Sequence, residues 1–121
     1  MELKEAQRLM RQFEEDRRWG EFAPSLLLLH LMEELTEIGE HILVREGYKV
    51  EGLGHKVDRE AEVGREFAQA FSLLLQLANR FEIDLEEAFL GELQVMERRF
   101  GREEWSSYMR RRDEGNGADR R

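Results

Sequence analysis

The chain contains no cysteine, one proline and two tyrosines in its 121 residues. Each shortage removes a class of protein. Without cysteine there is no disulfide scaffold, no thiolate zinc site and no cysteine nucleophile. Scarce proline and an aromatic content of 9% fit helices better than a turn-dense β-sandwich. Long apolar runs are also missing: the longest, Leu26 to Leu29, falls far short of the roughly 20 residues that cross a bilayer. No membrane association is expected. The opening Met1-Glu2-Leu3-Lys4-Glu5 lacks the basic flank and apolar stretch of a signal peptide, so the expected location is cytoplasmic. Cations are the minority, 19 Lys and Arg against 27 Asp and Glu for a net charge of −8. That balance disfavours a broad DNA- or RNA-binding surface, which needs clustered positive charge.

What is present is helical patterning in an amount of chain suited to one domain. Leu3, Ala6, Met10 and Phe13 recur at three- and four-residue spacing, which predicts a first helix over about 3–19, ended by Gly20. Pro24 suits the first turn of a second helix that reaches about Glu46 and stops at Gly47. On its wheel Leu28, Leu31, Leu35, Ile38 and Ile42 form an apolar side, and His30, Glu33, Glu34, Glu37, Glu40 and His41 lie opposite. Glycine punctuation from Gly47 to Val57 marks a loop.

Asp58 is positioned to cap a third helix running to about Arg80, with Val63, Phe67, Ala70, Leu74, Leu77 and Phe81 on its apolar side. Its other side carries Arg59, Glu62, Glu66, Gln69, Leu73, Gln76 and Arg80. Asp84 and Glu87 make an Asx form of the capping box for a fourth helix to about Phe100. A short helix over 102–112 precedes a tail, 113–121, expected to be disordered. Residues 1–112 are thus expected to form one all-α domain.

The chemistry lies in the string Glu33-Glu34-Leu35-Thr36-Glu37. Glu34 and Glu37 are spaced i, i+3, so both carboxylates can face one ion, and Glu66 with Gln69 repeats that spacing on the third helix. Oxygen donors of this kind suit hard cations such as Mg²⁺ and Mn²⁺. The alternative is a set of solvated acidic faces. A ferritin-like di-iron site is excluded by spacing, since Leu27, Ile38 and Gly52, and no glutamate, stand three residues before His30, His41 and His55.

Taken with Asn79-Arg80-Phe81-Glu82-Ile83-Asp84-Leu85-Glu86-Glu87-Ala88 and Glu97-Arg98-Arg99-Phe100, the two carboxylate clusters resemble the MazG-like nucleotide pyrophosphohydrolases. The likeness covers roughly residues 25 to 100 and rests on a Glu-Glu-x-x-Glu, loop, Glu-x-x-Asp pattern. It departs at Gln69, which stands where the family has Asp, and at Leu93-Gln94-Val95-Met96, where family members often carry Asn and Lys.

The resemblance implies a four-helix MazG-like bundle completed by assembly into a homodimer or homotetramer. It further implies Mg²⁺, or Mn²⁺, held by Glu34, Glu37, Glu66 and Gln69, with Glu33 orienting or deprotonating water. The implied reaction releases a nucleoside monophosphate and pyrophosphate from a nucleoside triphosphate, as in nucleotide-pool cleansing. Cations must meet the phosphates, and the candidates are Lys49, Lys56, Arg59, Arg80 and Arg98 or Arg99. Trp19, Phe22, Tyr48 and Trp105 are candidates to stack on a base, or to pack. Glu62 is a candidate to replace the charge that Gln69 lacks. The rival class is a MazG-fold binding or assembly module whose site has decayed, and a third reading is a plain helical interaction domain.

Overall fold

The computed structural model describes residues 1–58 and 62–119. Its regular elements are helical: α1 (Leu3–Arg17), a 3-10 turn (Trp19–Glu21), α2 (Pro24–Arg45), α3 (Val63–Arg80), α4 (Leu85–Arg99) and α5 (Arg102–Asp119). Among the described residues there is no strand, only an isolated bridge between Glu51 and His55. The all-α expectation holds.

The chain divides into two compact units, Met1–Leu85 and Glu86–Arg121. In the second, Trp105 stands edge-on to both Phe100 and Tyr108, at 6.2 and 5.6 Å between centroids. Here α5 runs on to Asp119, past Arg112 where the disordered tail is expected to begin.

In the first unit α2 packs chiefly on α3, and α1 lies on α3. Pro24 opens α2 where an N–H would have no partner, and Gly47 turns the chain away with φ +81°. Gly20 is not the stop of α1. Arg18 takes the left-handed conformation at φ 57°, and its N–H reaches the carbonyls of Glu14 and Glu15. The loop after α2 uses two further left-handed glycines, Gly52 and Gly54.

Asp58 does not cap α3. The helix starts five residues later, where the Glu62 carbonyl accepts from the N–H groups of Arg65 and Glu66. The end of α3 is joined to α1 by an amide network. Gln7 Nε2 donates to Asn79 Oδ1 and to the Ile83 carbonyl, Asn79 Nδ2 donates to the Gln7 carbonyl, and Leu85 N–H donates to Gln7 Oε1. Gln7 is thereby buried with its polar atoms paired.

The helix faces are arranged differently from the wheel reading. The buried positions of α2 are Leu27, Glu34 and Ile38, and those of α3 are Ala70, Leu73, Leu75, Gln76 and Ala78. By contrast Leu28, Leu35 and Ile42 remain 49%, 53% and 49% exposed, and Phe67, Phe71 and Leu74 are exposed too. A wheel ranks faces by hydrophobicity, whereas close approach of two helices also needs small side chains. Ala70 and Ala78 are among the buried positions of α3 and supply such small side chains. The inward stripe of α2 therefore mixes the two sides of the wheel: Ile38 from the apolar side is buried together with Glu34 from the acidic side, while Leu28, Leu35 and Ile42 stay exposed.

Candidate functional site

Glu34 is carried inward by this packing. Its Oε1 lies 3.3 Å from His30 Nε2, one turn earlier, and its Oε2 is buried without a hydrogen-bond partner. Glu66, on α3, has Oε2 buried in the same way, 2.8 Å from His41 Nε2 in an approach that does not make a hydrogen bond. Burying carboxylate oxygens without partners costs several kcal/mol per ion, so such atoms are natural seats for a cation. Glu37 completes the group. The Glu34 carboxylate, with burial and then Glu66 and Glu40, pushes the Glu37 carboxyl above its ordinary range.

The oxygen-rich donor set fits a hard divalent cation. In this conformation, however, no three or more His, Asp or Glu groups among the described residues are gathered around one point closely enough to hold it.

Two cavities adjoin these carboxylates. The larger, about 710 Å³, has aromatic walls from Phe13, Trp19 and Phe22 and reaches Glu34, Arg65 and Gln69. Phe13 and Trp19 meet edge to face at 5.3 Å, and the Arg17 guanidinium covers the Phe13 ring at 3.6 Å. The smaller cavity, about 340 Å³, is polar and brings Glu37 and Glu66 together with Lys49 and Lys56. Two of the chain's three lysines, both on the glycine-punctuated loop, thus line the same cavity as these carboxylates.

The other sequence candidates are placed less centrally. Glu33 is exposed, one turn from Glu37 on α2, and lines neither cavity. Glu62 sits before the first turn of α3 and also lines neither. Arg80 is turned into the chain, donating to the carbonyls of Trp19 and Phe22 and facing Glu14 at 3.7 Å. Its guanidinium is thereby engaged by backbone oxygens. Arg99 belongs to the second unit, with its guanidinium 5.2 Å from the Phe100 ring centroid. Arg59 lies outside the described residues.

Of the possible base-stacking residues, Trp19 and Phe22 line the larger cavity, whereas Tyr48 and Trp105 line neither. Sequence reasoning missed Arg65, Ser72 and Phe13 as cavity residues. A signal existed for the first two: Arg65, Gln69, Ser72 and Gln76 form one polar stripe at helical spacing along α3.

Fold and site together describe an all-α protein with carboxylates along a helix pair beside an aromatic cavity. The chain is similar to the crystal structure of the putative pyrophosphatase YPJD from Bacillus subtilis, at 25% sequence identity and a TM-score of 0.62. The match covers 84% of this chain and 96% of that one. No protein-family profile and no curated protein sequence matches the chain.

Proposed function

We propose that the protein is a divalent-cation-dependent pyrophosphohydrolase that cleaves a nucleoside triphosphate between its α and β phosphates, releasing a nucleoside monophosphate and pyrophosphate. The observation that carries this reading is the pairing of an aromatic-walled cavity ending at Glu34 with a polar one holding Glu37, Glu66, Lys49 and Lys56. The first has the chemistry to take a flat ring, the second to take phosphates and their counter-charge. Likeness to a structure named for pyrophosphatase activity supports the same reaction class.

In this reading Glu34, Glu37 and Glu66 hold Mg²⁺ or Mn²⁺, with the Gln69 carbonyl oxygen as a neutral fourth donor. When bound, the ion would neutralise phosphate charge and acidify water. Lys49 and Lys56 offset the repulsion that the carboxylates exert on a polyphosphate. Glu33, exposed and outside both cavities, would have to turn toward the site to orient the attacking water or accept its proton. The exposed stripes through Leu28, Leu35 and Ile42 and through Phe67, Phe71 and Leu74 support assembly into a homodimer or homotetramer.

A second reading is favoured by one observation. Gln69 brings no charge, and the described side chains are not gathered tightly enough for an ion, as expected of a binding or assembly module with a decayed site. Incubation with a panel of nucleoside triphosphates and Mg²⁺ or Mn²⁺, with pyrophosphate release as the readout, separates the two. Release that is lost in Glu37→Gln and Glu66→Gln supports the enzyme. Metal binding without release supports the module.

A further inference from the structure

The aromatic wall of the larger cavity is built in part on the short segment between α1 and α2, where Trp19 meets Phe13 of α1 edge to face. Trp19 opens, and Phe22 directly follows, a single 3-10 turn between α1 and α2, entered through the left-handed Arg18. Arg80, in the last turn of α3, reaches across about sixty positions of chain to this segment. Its Nη1 donates to the Phe22 carbonyl at 2.5 Å, and its Nη2 to the Trp19 carbonyl at 2.6 Å. Behind the guanidinium lies Glu14, buried, with Oε2 3.7 Å away and no hydrogen-bond partner.

Burial pushes the Glu14 carboxyl above its ordinary range, and the Arg80 charge opposes that rise. Arg80 is therefore held from behind by charge and spends two donors on backbone oxygens of the turn. A planar fork can satisfy two carbonyls at once in fixed geometry, which a lysine ammonium cannot reproduce.

We infer that Arg80 is a positioning residue for the ring-bearing end of the substrate: it fastens the turn carrying Trp19 and Phe22 to α3 and so holds the aromatic wall of the larger cavity in place. It lines neither cavity, and its hydrogen-bond and ion-pair partners among the described residues are Trp19, Phe22 and Glu14. Its effect falls on recognition of the ring, while the groups proposed to handle phosphates are untouched. The role in recognition rests on the nucleotide reading above; the fastening of the turn does not.

The test uses the full chain with Trp105→Phe, which leaves Trp19 as the single tryptophan. In the ligand-free protein, Arg80→Lys and Arg80→Met are expected to raise acrylamide quenching of Trp19 about twofold and shift its emission to the red, with helical circular dichroism retained. Affinities for the four common nucleoside triphosphates and for inorganic tripolyphosphate, which has no ring, are then measured by calorimetry. The ratio of nucleotide to tripolyphosphate affinity is expected to fall about tenfold, the size of one charge-assisted contact.

If Arg80→Met does not fold, Arg80→Lys keeps the charge opposite Glu14 and carries the test. Unchanged Trp19 quenching in the folded variants overturns the fastening. Increased quenching with an unchanged affinity ratio overturns the role in ring recognition. A wild type that binds nucleotides no better than tripolyphosphate overturns the nucleotide reading instead, while the quenching result still decides the fastening.

Discussion

His41 Nε2 on α2 lies 2.8 Å from Glu66 Oε2 on α3, so one contact spans the two helices that carry the carboxylate cluster. In the proposed site this histidine is placed to serve as the outer partner of a ligand carboxylate on the facing helix. Loss of such outer partners typically costs 10- to 100-fold in metal affinity. His41→Ala is expected to weaken Mn²⁺ binding about tenfold by calorimetry, with the melting temperature of the metal-free protein changed little. Equal affinity in the two proteins would show that His41 does not position Glu66.

Glu37 titrates against its neighbours, which gives a pH-dependent prediction. Its carboxyl is raised first by Glu34, so in the folded, metal-free protein the ionised form is disfavoured relative to the unfolded chain. Stability from this group is fully present below the ordinary glutamate range and is lost as pH rises through its raised value. Glu37→Gln should therefore raise the melting temperature in EDTA at pH 7, and the gain should shrink as pH falls toward 4. A gain that is the same at both pH values would count against repulsion as the cause.

Gln69 tests whether the site works or has decayed. Gln69→Asp adds a formal charge beside Glu34 and Glu66 and is expected to tighten Mn²⁺ binding about tenfold or more, because charge count tunes carboxylate sites. In a working enzyme it also raises turnover at limiting metal. In a decayed one binding improves and pyrophosphate release stays absent. Glu62→Gln is the control: from the start of α3, outside both cavities, it should leave metal affinity at the wild-type level.

Leu35 and Phe71 stand on the exposed apolar stripes of α2 and α3. If these stripes meet in an oligomer, a charge there is buried without a partner, which costs several kcal/mol. Leu35→Glu and Phe71→Glu should each convert the assembly to monomer at micromolar concentration, as read by analytical ultracentrifugation. A wild type that sediments as a monomer, or variants that assemble like it, would reject the assembly.

Much of this protein is local, and the local part was legible in its sequence. Pro24 and Gly47 bound α2 because a missing N–H and a left-handed φ are properties of single residues. The i, i+3 pairs Glu34 with Glu37 and Glu66 with Gln69 follow from helical geometry alone. Three matters were decided only by tertiary structure. Which positions of α2 turn inward depends on its neighbours: Glu34 and Ile38, from opposite sides of the wheel, are both buried, whereas Leu28, Leu35 and Ile42 are not. Whether a cation is free depends on what surrounds it: Lys49 and Lys56 reach a carboxylate-lined cavity, whereas the Arg80 guanidinium is taken up by the carbonyls of Trp19 and Phe22. The aromatic cavity itself joins Phe13, Trp19 and Phe22 to Arg65 and Gln69 across more than forty positions of chain. Hydrophobic periodicity reports which side of a helix avoids water, but a cavity is made by surfaces that fail to fill the space between them, and no single helix contains that information.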